Sequence, residues 1–127
     1  MTRILYAEDV DFLREGITAD LELETDFDVK SCDLNYDETI RQVNLVKPDI
    51  LLLDVMGPTN IHEGIKIASA LSNSPFRKIG ALKILLLTIF REDDDSIKQV
   101  LEDGTADGIV TKPTTSENII RHIRRLL

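Results

Sequence analysis

The feature that most constrains this chain is an alternation of two periods. Five short apolar runs stand at intervals: "RILYA" (3–7), "FDVKSCD" (27–33), "DILLLD" (49–54), "KILLLT" (83–88) and "ADGIVTK" (106–112). The first, third and fourth lack polar alternation, as strands covered on both faces do. Between the runs lie stretches with helical spacing, carried by Leu13, Ile17 and Leu21, by Ile40, Val43 and Val46, by Ile65, Ala68 and Leu71, and by Ile97, Val100 and Leu101. The last repeats Ile119, Ile120, Ile123, Leu126 and Leu127, and "TTSE" (114–117) in front of it reads as a capping box. Five βα units in this order predict an α/β fold, a parallel sheet with helices on both faces. At 127 residues, one domain spanning 1–127 is expected. Only "SNSPFRKIGA" (72–81) resists assignment, as an extended helix end or a loop.

Composition narrows the function classes. Acids outnumber bases 23 to 15, a formal charge of −8. That balance argues against direct binding to nucleic acid, whose phosphates require basic contacts. Cys32 is the only cysteine, so no intrachain disulfide can form and a reducing, cytoplasmic setting is expected. Met1 runs straight into a charged, strand-like segment with no signal-peptide pattern. No apolar run approaches the ~20 residues a membrane span needs.

In an open parallel sheet, ligands bind beyond the carboxyl ends of the strands. The residues there are Glu8 and Asp9 after the first run, Asp54 ending the third, Thr88 ending the fourth, and Lys112-Pro113 after the fifth. If the first and third strands are neighbours, three carboxylates converge and repel one another. A divalent cation relieves that repulsion, and an all-oxygen ligand set without His or Cys suits Mg²⁺. A carboxylate beside Mg²⁺, a hydroxyl and an ammonium can attack a phosphoryl group and form an acyl phosphate. Singly, each residue has a plainer reading: Asp54 a turn residue, Thr88 a β-branched strand residue, Lys112 a surface charge. "EDDD" (92–95) reads as acids complementing a helix dipole. His62 and His122 read as exposed helix residues, with a loop-contact role for His62 left open.

The ordered set Glu8-Asp9, Asp54 in "LLLDVMGP", Thr88 in "LLLT" and Lys112-Pro113 in "TKP" resembles a response-regulator receiver domain of two-component signalling. The resemblance covers essentially the whole chain. It implies a flavodoxin-like (βα)5 sheet of order 2-1-3-4-5. It also implies that Asp54 accepts a phosphoryl group from a histidine kinase, and that Asp9, Asp54 and the Met56 backbone carbonyl ligate Mg²⁺. Glu8 would act through water, Lys112 and Thr88 would bind the phosphoryl group, and the Lys112–Pro113 bond would be cis. "LREG" (13–16), "LELETDFDV" (21–29) and "LTIFREDDD" (87–95) further resemble receivers carrying a LuxR-type helix-turn-helix output. That implies a DNA-binding output domain outside this chain and transcription regulation. The alternatives are a stand-alone receiver acting through protein contacts and a phosphorylation-independent receiver-like module.

Three positions depart from the family pattern. Gly64 lies ten residues after Asp54, two more than is common. Ile109 occupies the place, three before Lys112, where an aromatic switch residue is common. Ile89 is bulky where a small residue often follows the switch threonine. Met56 and Phe90 are expected beside the path of an attacking water, where neither can orient it, so slow self-dephosphorylation is expected. Arg121, Arg124 and Arg125 suit a helix C-terminus, or the acidic fourth helix of a second copy in a phosphorylation-dependent homodimer. A haloacid-dehalogenase-type phosphatase is disfavoured because Met56 stands where its general acid would be. A flavodoxin is disfavoured because "AEDVDF" repels a flavin phosphate.

Overall fold

The computed structural model describes residues 1–57, 60–91 and 93–127. Five parallel strands, β1 (Thr2–Ala7), β2 (Phe27–Cys32), β3 (Ile50–Asp54), β4 (Lys83–Thr88) and β5 (Gly108–Thr111), form one sheet in the order β2-β1-β3-β4-β5. The sheet order is the one the resemblance implies. β3, at its centre, is buried along its whole length, which is why "ILLLD" carries no polar alternation.

The helices are α1 (Asp11–Glu22), α2 (Tyr36–Val46), α3 (Glu63–Leu71), α4 (Pro75–Lys78), α5 (Asp95–Glu102) and α6 (Ser116–Leu126). Leu21 of α1 and Ile119 and Ile123 of α6 pack with Ile4, Tyr6, Leu52 and Leu87 on one face of the sheet. Val43 of α2, Ile67 and Ala68 of α3 and Val100 of α5 pack with Leu5, Leu51, Leu53 and Leu86 on the other. Successive strand residues point to opposite faces, so one unbroken apolar run supplies both cores.

The segment 72–81 contains a separate one-turn helix, α4. Ser74 caps it by accepting a hydrogen bond from Arg77 N, with Pro75 at its first position. Arg77 then fastens the turn to the opposite loop. Its guanidinium meets Asp107 at 2.5 Å and donates to the carbonyls of Leu82, Gly104 and Thr105. Asp107 also accepts from Ile84 N at 2.8 Å.

The cap of α6 is shifted by one residue from the expected box. Thr115, not Thr114, accepts from the backbone of Asn118, and Asn118 rather than Glu117 reaches back, to the Thr114 hydroxyl. Arg124 is engaged within the chain, pairing with Glu24 and Asp26 at 3.0 and 2.9 Å and lying over the Phe27 ring. It is therefore committed to holding α6 against the α1–β2 turn, which leaves Arg121 and Arg125 for any contact with a second copy. Among the described residues, no helix is long and apolar enough to cross a membrane.

Candidate functional site

The carboxyl end of the sheet gathers the residues singled out above. Ladder hydrogen bonds extend past the formal strand ends and fix them: Glu8 N donates to Cys32 O at 3.1 Å, Val55 N to Leu87 O at 2.9 Å, and Lys112 N to Thr88 O at 2.7 Å. Glu8, Asp54 and Thr88 are three of the four buried polar side chains among the described residues. Such burial is costly unless partners are supplied.

Asp54 has two different oxygens. Oδ1 accepts from Met56 N at 3.1 Å, and Oδ2 lies 2.7 Å from Lys112 Nζ. Lys112 also approaches Glu8 Oε1 at 3.9 Å. Glu8 accepts from Asp9 N at 3.1 Å and from the Tyr6 hydroxyl at 3.4 Å. Burial, then the hydrogen bond and charge of Asp54, push the Glu8 carboxyl up to about 8. Burial, with Glu8 beside it, raises the Tyr6 phenol as well. Carboxylate oxygens of Glu8, Asp9 and Asp54 lie within 4.8 Å of one another. One lysine against three converging acids leaves excess negative charge, and the donors are all oxygen. The residues therefore fit a hard divalent cation.

A cavity of about 190 Å³ opens over this cluster, lined by Glu8, Asp9, Asp54 and Lys112 with Val10, Leu13, Met56, Gly57 and Ile89 as its apolar rim. Ile89 thus stands at the mouth, as its bulk suggested. Phe90, expected beside it, is not among the lining residues; its ring stacks on His62 instead, with centroids 5.3 Å apart. His62 is the N-cap residue of α3 and half-buried, and His122 is half-buried with Nδ1 2.9 Å from Asn118 O, so neither is the exposed helix residue expected. The Lys112–Pro113 bond is cis. Ile109 is buried and supplies no ring. Of "EDDD", Asp94 caps α5 through Ser96 N and Asp95 lies in its first turn; Glu92 lies outside the described residues. The only described acidic group that could hold a metal is Glu8-Asp9-Asp54.

Two further residues shape the site. Arg14 donates to the Glu8 carbonyl and to Asp33, both at 2.7 Å, and so holds the loop bearing Glu8 and Asp9. An isolated arginine in an amphipathic helix gives no such signal in sequence. Gly64 N donates to Val55 O at 2.8 Å, and a Cβ at Gly64 would collide with the Asp54 carbonyl oxygen. The glycine therefore lets α3 start directly against the end of β3. In the loop between, Asn60 accepts from Gly57 N and Glu63 N through its carbonyl and from His62 N through its side chain. Pro58 and Thr59 lie outside the described residues.

The sequence profile of the response regulator receiver domain matches residues 4–124. This chain belongs to the receiver family. The receiver is similar to the transcriptional regulatory protein LnrK of Bacillus subtilis, 30% identical over 124 residues, 97% of this chain and 52% of LnrK. It spans about half the length of the curated relatives it matches. Among solved structures it resembles the chemotaxis protein CheY4 of Vibrio cholerae, with a TM-score of 0.82, 21% identity and coverage of 100% and 99% of the two chains. It also resembles a LuxR-family DNA-binding response regulator from Staphylococcus aureus, with a TM-score of 0.80, 19% identity and coverage of 99% and 98%. These structural likenesses concern the receiver fold, and they agree with the sheet order.

Proposed function

We propose that this receiver accepts a phosphoryl group on Asp54 from a phosphohistidine of a histidine kinase. The observation that carries the reading is Asp54 itself: a buried carboxylate at the end of the central strand, paired with Lys112 and flanked by Glu8 and Asp9. An Asp54 oxygen bonds to phosphorus as the N–P bond breaks. The electron pair leaves on the imidazole nitrogen, which takes up a proton. Lys112, anchored through its backbone to Thr88, holds a cation against the arriving phosphoryl oxygens. Thr88 offers a hydroxyl from the neighbouring strand end. Mg²⁺, held by Asp9, Asp54 and the Met56 carbonyl with Glu8 through water, would offset the negative charge of the group being transferred. The apolar rim of Val10, Leu13, Met56 and Ile89 supplies no side chain that could activate water, which favours a long-lived phosphoryl group.

The chain turns over no separate substrate; it catalyses only its own phosphorylation and dephosphorylation. It works in the cytoplasm. Its output is transcription regulation through a LuxR-type DNA-binding domain, supported by the length of LnrK and the LuxR-like segments. Phosphorylation with acetyl phosphate, followed by intact mass, tests the reading. One phosphoryl group should be added, only with Mg²⁺, and none to Asp54→Asn. Modification that survives this substitution would contradict it.

A further inference from the structure

The Thr88 side chain is tied to the chain beyond it. Its Oγ1 accepts from Phe90 N at 2.9 Å, a local turn that aims the oxygen along its own loop. Phe90 in turn packs its ring against the core cluster that contains Val55 and Val100. Its outer face carries the His62 imidazole, 5.3 Å between centroids and 21° from parallel. His62 stands at the N-cap position of α3, and Asp94 caps α5 through Ser96 N. The Asp94 carboxyl is held below its ordinary value by Ser96 first, and the charge of His62 adds to that effect. A series of contacts thus runs from Thr88 through Phe90 to His62 at the N-terminus of α3, and the charge of His62 reaches Asp94 at the start of α5. Ile109, lacking a ring, offers nothing comparable on β5.

We propose that the His62–Phe90 stack is the element that reads Asp54 phosphorylation in this chain. The inference rests on the phosphoacceptor reading above. Turning the Thr88 hydroxyl onto a phosphoryl group at Asp54 takes it off Phe90 N–H. The loop carrying Phe90 then resets, its ring leaves His62, and the start of α3 shifts relative to the start of α5. Phosphorylation is thereby converted into a changed surface at two helix ends, without an aromatic on β5.

The chain has two histidines, so imidazole proton resonances report the stack directly, with His122 as internal reference. Protons over an aromatic face are shielded. The native protein is treated with acetyl phosphate and Mg²⁺ at fixed pH, and its phosphorylation is measured by intact mass. The His62 resonances should move downfield while those of His122 stay. Thr88→Ser should respond like the native chain. Thr88→Val should gain the phosphoryl group with His62 unmoved. Phe90→Leu should show the downfield position from the start. A fully phosphorylated native protein with unmoved His62 resonances would overturn the inference alone, as would a native-like shift in Thr88→Val. Absence of the added mass would remove the phosphoacceptor reading together with it.

Discussion

Lys112 Nζ lies 2.7 Å from Asp54 Oδ2 and 3.9 Å from Glu8 Oε1, the one lysine against a cluster of three carboxylates. This contact joins the two strand ends that the chemistry needs, across 58 residues of sequence. It also sets the charge balance of the site. Lys112→Gln leaves the three acids without their counter-charge. Divalent-cation affinity, measured by titration calorimetry, should rise several-fold, because the cation meets more negative charge and no repelling ammonium. Phosphoryl incorporation should slow in the same variant. Unchanged cation affinity would mean that Lys112 does not govern the site's charge.

The raised Glu8 carboxyl has a definite consequence for stability. Its folded pKa of about 8 lies above its ordinary value of 4.5, so between these values the folded state binds more protons than the unfolded state. Cation-free stability should therefore be greatest near the lower limit and decline as pH rises toward 8. Mg²⁺ opposes the same repulsion, so its stabilising effect should be small at acidic pH and grow toward pH 8. Melting curves across this range, with chelator and with Mg²⁺, measure it. A Mg²⁺ effect independent of pH would contradict the assignment of the cation to this cluster.

Gly64 predicts a packing limit. Gly64→Ala places a Cβ against the Asp54 carbonyl and 2.7 Å from Val55 Cα, both backbone atoms that cannot swing aside. The cost should be about 1–3 kcal/mol in urea unfolding, with slower phosphoryl incorporation because the end of β3 must shift. By contrast, Gly16→Ala meets nothing nearby and should be neutral or mildly stabilising.

Arg77 and Asp107 form a largely buried pair, with side chains 8% and 22% exposed. Arg77→Ala leaves Asp107 and three carbonyls without that donor, and should cost about 3–5 kcal/mol in unfolding free energy. The pair lies at the opposite end of the sheet from Asp54, so the remaining folded protein should still phosphorylate. Loss of phosphorylation in a fully folded variant would show that α4 does more than brace the sheet.

The strands were legible because burial on both faces leaves apolar runs that nothing else explains, and each lies within about two residues of its expected bounds. The carboxyl-end cluster was legible for a related reason. Topology brings strand ends together, so the sequence alone groups Glu8, Asp9, Asp54, Thr88 and Lys112. α4 was not legible as a helix because a single turn has no period, although Ser74-Pro75 carried the capping signal. The guanidinium contacts of Arg14 and Arg77, and the ring pair of His62 and Phe90, left no sequence pattern. They depend on loops meeting in space, as does the collision that Gly64 avoids.

The identity of the phosphoacceptor is tested most directly by mapping the acyl phosphate. The chain is phosphorylated with acetyl phosphate and Mg²⁺, reduced with borohydride, digested and sequenced by mass spectrometry. Reduction converts an aspartyl phosphate to homoserine, and homoserine is expected at position 54 alone. Homoserine at another aspartate, or a phosphoryl group that resists borohydride, would contradict it.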